Sequence, residues 1–138
     1  MKATNNYLRI TSASLIWSFV YFLMNSTKNI PECLLSICLL ATIICSQLFW
    51  QNPIKTSIIH KIDAYVAKIS MLFFILYTLT YKNIRGRVLY SYLLFLCGLL
   101  FTSYNSNYYS AQEWCSDKHI FHHGCLHMVC YLGSFYAF

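Results

Sequence analysis

Charge is what this sequence has least of. Only 10% of its 138 residues are charged, where a soluble domain carries about 25%. Acidic residues number four, Glu32, Asp63, Glu113 and Asp117. A chain of about this length buries only some two-thirds of its unfolded surface when it folds in water. With 58% hydrophobic residues and a mean hydropathy of +0.50, the remaining surface must face lipid or partners, and no stretch is left for a separate soluble domain. The chain also lacks internal repeats, low-complexity tracts and any C-x-x-C pair. Its seven cysteines are an odd number, which argues against a paired disulfide framework or a redox motif. The ten Lys and Arg are scattered rather than clustered, which favours anionic head groups over nucleic acid as their partners.

What is there is a series of apolar runs. A membrane-crossing helix needs about 20 mostly apolar residues, and the pattern predicts an all-α, multi-pass transmembrane bundle of about five helices, near 7–24, 30–50, 64–81, 88–104 and 122–138. Four crossings are the alternative count. Pro31 suits a helix start, Asn52-Pro53 ends the second run, and 82–87 form a tight basic turn. A longer polar loop is expected from Tyr104 to His119. Lys68 is expected one turn inside the third span, from where it can snorkel to the head groups. Lys2 and Arg9 give the first run some signal-peptide character, but no small-residue cleavage site follows, so a retained anchor is expected. Basic residues divide five against four between the two faces, which sets no orientation. The expected location is an integral membrane protein of unspecified membrane.

Two polar clusters stand out. Asp63 lies at the start of the third span with His60 three residues before it, so on a helix the two share a face. An ionisable group at membrane depth is a functional hypothesis by default; the bland alternative is a wet helix end. The second cluster is Asp117-Lys118-His119-Ile120-Phe121-His122-His123-Gly124-Cys125-Leu126-His127, with four of the five histidines. His123 and His127 are four apart, a spacing that lets two imidazoles reach one metal. Cys115 and Cys125 flank the cluster as further metal donors, although unpaired apolar thiols are the simpler reading. With five spans, the end of the second and the starts of the third and fifth fall on one membrane face. Ser46, Trp50, His60, Asp63, His123 and His127 are therefore expected to converge.

These residues resemble the signature of the CREST superfamily of membrane hydrolases, which includes alkaline ceramidases, adiponectin and progestin receptors and the post-GPI-attachment proteins. Ser46-Gln47-Leu48-Phe49 is similar to the opening of its Ser-x-x-x-His element, Asp63 stands where its Asp begins a span, and His123-Gly124-Cys125-Leu126-His127 matches its closing H-x-x-x-H. The resemblance implies a zinc-dependent hydrolase acting on a lipid amide or ester that arrives laterally from the bilayer. His123 and His127 would be zinc ligands, with Asp63 as general base and Ser46 near the zinc-bound water. The chain departs from the pattern in having Trp50, not His, four residues after Ser46, and about five spans instead of seven. His60 is the candidate for the missing third ligand, with His119 behind it. The competing reading is a non-catalytic structural or assembly protein without metal. No span carries a regular polar stripe, which argues against a channel.

Overall fold

The computed structural model describes residues 2–138, with side chains from Asn6 onward. It is all-helical among these residues. α1 (Lys2–Ala13) and α2 (Ile16–Asn25) are two halves of one rod, followed by α3 (Ile30–Gln51), α4 (Ile58–Leu76), α5 (Gly86–Gln112) and α6 (Asp117–Ser134). Four segments are long and apolar enough to cross a membrane: Asn6–Asn25, Ile30–Gln51, Ile58–Tyr81 and Gly86–Gln112. The protein is an integral, multi-pass membrane protein. α6 runs about 27 Å at 1.5 Å per residue, packed along α5 and α1. It is less apolar because most of its residues face inward, with an exposed stripe at Phe121, Met128 and Leu132.

Lipid-facing apolar residues and an inward-facing polar set organise the bundle. On α3, Leu34, Ile37, Ile44 and Leu48 are exposed, whereas Ser36 and Ser46 are buried. Hydroxyls join the helices where lipid provides no hydrophobic drive to do so. Thr42 Oγ1 donates to Ser70 Oγ across α3 and α4 at 2.9 Å, Ser134 Oγ to Ser18 Oγ across α6 and α2 at 2.6 Å, and Gln47 Nε2 to Ser12 Oγ across α3 and α1 at 2.8 Å. The break between α1 and α2 has a local cause. Thr11, Ser12 and Ser14 each turn their hydroxyl back onto a carbonyl three residues earlier, a competition with the helix ladder that bends or interrupts it. Gly133 lets α5 and α6 approach closely, since a Cβ there would collide with the Phe95 ring.

Three helices begin with the same device. Lys28, Thr56 and Cys115 each have positive φ (55°, 71° and 60°). The next residue, Asn29, Ser57 or Ser116, is the N-cap, and its side chain accepts from the backbone N–H three positions on. The side chain at that third position, Glu32, His60 or His119, reaches back to accept the N–H of Lys28, Thr56 or Cys115. This is a variant of the reciprocal capping box, in which the back-bond goes to the N–H one residue before the N-cap and histidine replaces the usual acid in two cases.

Glu32, 1% exposed, is the hub of the opposite end of the bundle. Besides the Lys28 N–H it accepts from Ser26 Oγ and Thr27 Oγ1 at 2.8 Å, from Tyr77 OH at 3.0 Å and from Lys82 Nζ at 3.4 Å. Lys82 also donates to the Ala137 and Phe138 carbonyls. A π-helical turn at Tyr77–Tyr81, closed by the Lys82 N–H on the Tyr77 carbonyl, presents both Tyr77 and Lys82 to this carboxylate.

Three sequence expectations need correction. α4 starts at Ile58 rather than 64, because Ser57 caps it. Lys68 is therefore the eleventh residue of α4, about 15 Å along it, and not one turn inside. The expected loop from Tyr104 to His119 is mostly helical, with only 113–116 between α5 and α6. Polar residues there continue the helix because they support it locally: Asn105 Nδ2 donates to the Phe101 carbonyl and Tyr104 stacks on Tyr108 one turn later.

The helices form an open ring. α1 and α2 sit between α3 and α6; α4 packs on α3, and α5 packs on α6, but α4 and α5 share no packed interface. Loop contacts close this seam at its ends. On the histidine side, Trp114 Nε1 donates to the Pro53 carbonyl at 2.9 Å and Lys55 Nζ to the Ser110 carbonyl at 2.8 Å; on the other, the short turn 82–85 joins α4 to α5.

The Glu32 hub predicts an ordering of stabilities. Glu32→Leu strands several buried donors and should cost roughly 3–5 kcal/mol. Lys82→Met should cost less than half as much, because the Lys82 side chain is 31% exposed. Thermal unfolding in detergent micelles measures both, and equal losses would show that the carboxylate does not act as the hub.

Candidate functional site

Between α3, α4, α5 and α6 lies a cavity of about 410 Å³, within the size range of small-molecule sites. Ser46, Trp50, His60, Asp63, His123 and His127 all line it. The convergence expected from the topology therefore occurs, because α3 ends, and α4 and α6 begin, on the same side. The other half of the cavity is apolar, walled by side chains such as Met71 and Phe74 of α4 and Phe95 and Leu99 of α5.

The four histidines that line the cavity fall into two chemical classes. His60 and His119 accept a backbone N–H at Nδ1 (3.1 and 3.2 Å) as part of their helix caps. A neutral imidazole that accepts at Nδ1 carries its proton on Nε2, so neither ring has a second lone pair to give. His123 and His127 are different. Their ring centroids are 4.8 Å apart. His127 Nδ1 lies 3.0 Å from Thr11 Oγ1, whose own hydrogen is directed to the Leu8 carbonyl. The hydroxyl thus accepts from Nδ1–H, and the network assigns the lone pair of His127 to Nε2. His123 Nδ1 has Ser106 Oγ at 2.9 Å, a hydroxyl free to play the same part. A ring held at one nitrogen with the other left available is the usual arrangement of a ligating histidine.

These residues fit a metal ion at two positions and not at a third. Among the described residues no group of three histidine, cysteine or acidic side chains is placed to hold one. Where the CREST resemblance would put the third imidazole stands Trp50, 1% exposed. It meets His123 edge-on at 5.0 Å, tilts against Phe49 at 4.7 Å and stacks on Trp114 at 6.3 Å. Cys115 lies in the 113–116 turn, where burial pushes its thiol above the ordinary value and disfavours the thiolate a metal requires. All seven cysteines are free.

The remaining site residues are polar and unpaired. Asp63 is buried, and among the described residues it has neither a hydrogen-bond nor an ion-pair partner. Ser46 Oγ and Trp50 Nε1 are buried donors without an acceptor among the described residues. Since buried polar groups are rarely left unpaired, this concentration at one end of one cavity makes it the candidate site. Sequence reasoning missed the capping role of His60 and His119. The signal was present as Ser57-x-x-His60 and Ser116-x-x-His119, the spacing of a capping box. It also missed the hydroxyl partners Thr11 and Ser106, which only tertiary packing brings to the histidines.

Comparison of the chain with family models, with curated proteins and with solved structures returned no match.

The packing of Trp50 yields a stability expectation. Trp50→Ala should cost about 3–5 kcal/mol, and Trp50→Phe should recover most of it, because Phe keeps the ring contacts and removes the unpaired indole N–H. Chemical denaturation in micelles tests the pair; a Phe variant as unstable as the Ala variant would mean that Nε1 has a role that the ring packing does not explain.

Proposed function

We propose that this protein handles a lipid inside the bilayer, as a hydrolase-like membrane protein whose substrate class is a lipid amide or ester. The observation that supports this reading is the convergence of Ser46, Asp63, His123 and His127 on a cavity with one polar and one apolar half. An amphipathic molecule would place its carbonyl at the polar end and its chain against Met71, Phe74, Phe95 and Leu99. Asp63, buried and unpaired, is the group suited to take a proton from an attacking water. Ser46 Oγ is a donor suited to the oxygen of a polarised carbonyl. His123 and His127 are the nitrogens that would hold Zn²⁺. Zinc bound there would supply a Lewis acid and a water of pKa about 7. His60, being part of a helix cap, is better suited to donate from Nε2 than to ligate.

Trp50 favours a second reading. A bulky indole packed against His123 in place of an imidazole leaves two protein nitrogens, where catalytic zinc sites ordinarily have three protein ligands. The same cavity would then hold a lipid without cleaving it, and the protein would be a non-catalytic member of a membrane assembly.

Metal content separates the two. Purified without chelator, the wild-type protein should retain about one zinc per chain, lost in His123→Ala/His127→Ala, and should release fatty acid from a lipid amide or ester. Absence of zinc from unchelated wild-type protein would remove the hydrolase reading and leave the non-catalytic one.

A further inference from the structure

α5 is the longest helix and the least buried of the four membrane-crossing segments. Its buried residues Tyr92, Leu99 and Ser106 line the cavity. The opposite side carries six exposed residues, Tyr90, Leu94, Cys97, Phe101, Tyr104 and Tyr108, spaced alternately by four and three. A repeat of that kind holds a narrow stripe in line over about 27 Å. Lipid requires apolarity but no period, whereas a second helix requires this one. The stripe also differs in kind from the aliphatic outer surface of α3, because three of its six members are tyrosine, a residue enriched where proteins meet. Its spacing is palindromic about Leu99: Tyr90 and Tyr108 are equally far from it, as are Leu94 and Tyr104, and Cys97 and Phe101. Charge follows the same symmetry with opposite sign. Arg85 and Glu113, which flank α5, are also equidistant from Leu99; both are exposed, and neither has an ion-pair partner among the described residues.

We propose that the outer stripe of α5 is an interface for a second copy of this chain inserted in the opposite orientation, giving an antiparallel two-fold dimer. Turning one copy end over end at the level of Leu99 lays Tyr90 against Tyr108 of the second copy, Leu94 against Tyr104 and Cys97 against Phe101. The same turn sets Arg85 beside Glu113 at both ends, so that one surface is complementary to itself. A parallel dimer would oppose Arg85 to Arg85 and Glu113 to Glu113. The helix dipoles of an antiparallel pair also meet with opposite ends together. Insertion fits this arrangement. Lys and Arg near the ends of the spans set which way a chain enters the bilayer, and here they divide five against four, so one sequence supplies both orientations. The cavity lies on the other side of α5, and the interface is independent of lipid binding, zinc and catalysis.

The test uses the full chain in sealed membrane vesicles, as two differently tagged copies in a Cys97→Ser background. The probe is a bismaleimide that spans about 8 Å, the separation of closely packed helices. Leu94→Cys on one copy should link to Tyr104→Cys on the other. Leu94→Cys on both copies should not link, since the two lie about 15 Å apart along an antiparallel pair. Glu113→Arg on both copies should reduce the Leu94→Cys to Tyr104→Cys link roughly fivefold. Adding Arg85→Glu should restore it, which a folding defect would not allow. Orientation is read separately: Gln51→Cys, exposed at the end of α3, should react with a membrane-impermeant maleimide in about half of the chains. Linking of Leu94→Cys to itself, in place of linking to Tyr104→Cys, would make the dimer parallel and overturn the proposal. Absence of any link, or reaction of Gln51→Cys in all chains or in none, would overturn it as well.

Discussion

Inside a bilayer every backbone N–H and C=O must find its partner within the protein, because lipid supplies none. The ends of helices are where this requirement is hardest to meet, since the first four N–H groups of each helix have no partner in the ladder. Here three helix starts meet it with one solution: a residue at positive φ, a capping Asn or Ser, and a side chain at the third position that reaches back. The architecture of the site follows from that solution. Two of the three boxes lie at the polar end of the cavity, and they occupy Nδ1 of His60 and His119. Of the four histidines that line the cavity, those with a nitrogen to spare are then His123 and His127, held by hydroxyls from Ser106 and Thr11.

Buried polarity also explains why α6 looks the least membranous of the helices. Its inward side carries His119, His123, His127 and Ser134, which face the cavity or neighbouring helices, while Phe121, Met128 and Leu132 form a narrow outer stripe. A helix surrounded by protein on most sides needs little hydropathy of its own. α3 shows the other extreme, apolar outward and largely apolar inward too, with Ser36, Thr42 and Ser46 set among Leu35, Leu39 and Ile43 on its inner side.

Much of the bundle could be read from the chain because its strongest constraint, burial in lipid, acts on long runs of residues. The breaks at Asn29-Ile30-Pro31 and Asn52-Pro53 were legible for that reason, and so was the topology that brings Ser46, Asp63 and His123 together. Short-range chemistry was less legible. Residues 105–112 look like a polar loop but remain helical through Tyr–Tyr stacking and an Asn105 back-bond. A Ser-x-x-His box reads in the sequence as a lone histidine, so the pattern at His60 is that of a free ligand although its Nδ1 is engaged at the helix start. The seam between α4 and α5 is a property of how helices sit around one another, and no local pattern encodes it.

That seam makes the molecule two helical hairpins, α3–α4 and α5–α6, clasped by the α1–α2 rod that touches both. Such an arrangement has the mechanics of a pair of tongs. The rod is the pivot, and the interruption at Ser14 and Leu15 gives it a joint midway along its length. A small change in how the rod seats on Gln47 or Ser134 would therefore widen or narrow the opposite side of the bundle without disturbing either hairpin internally.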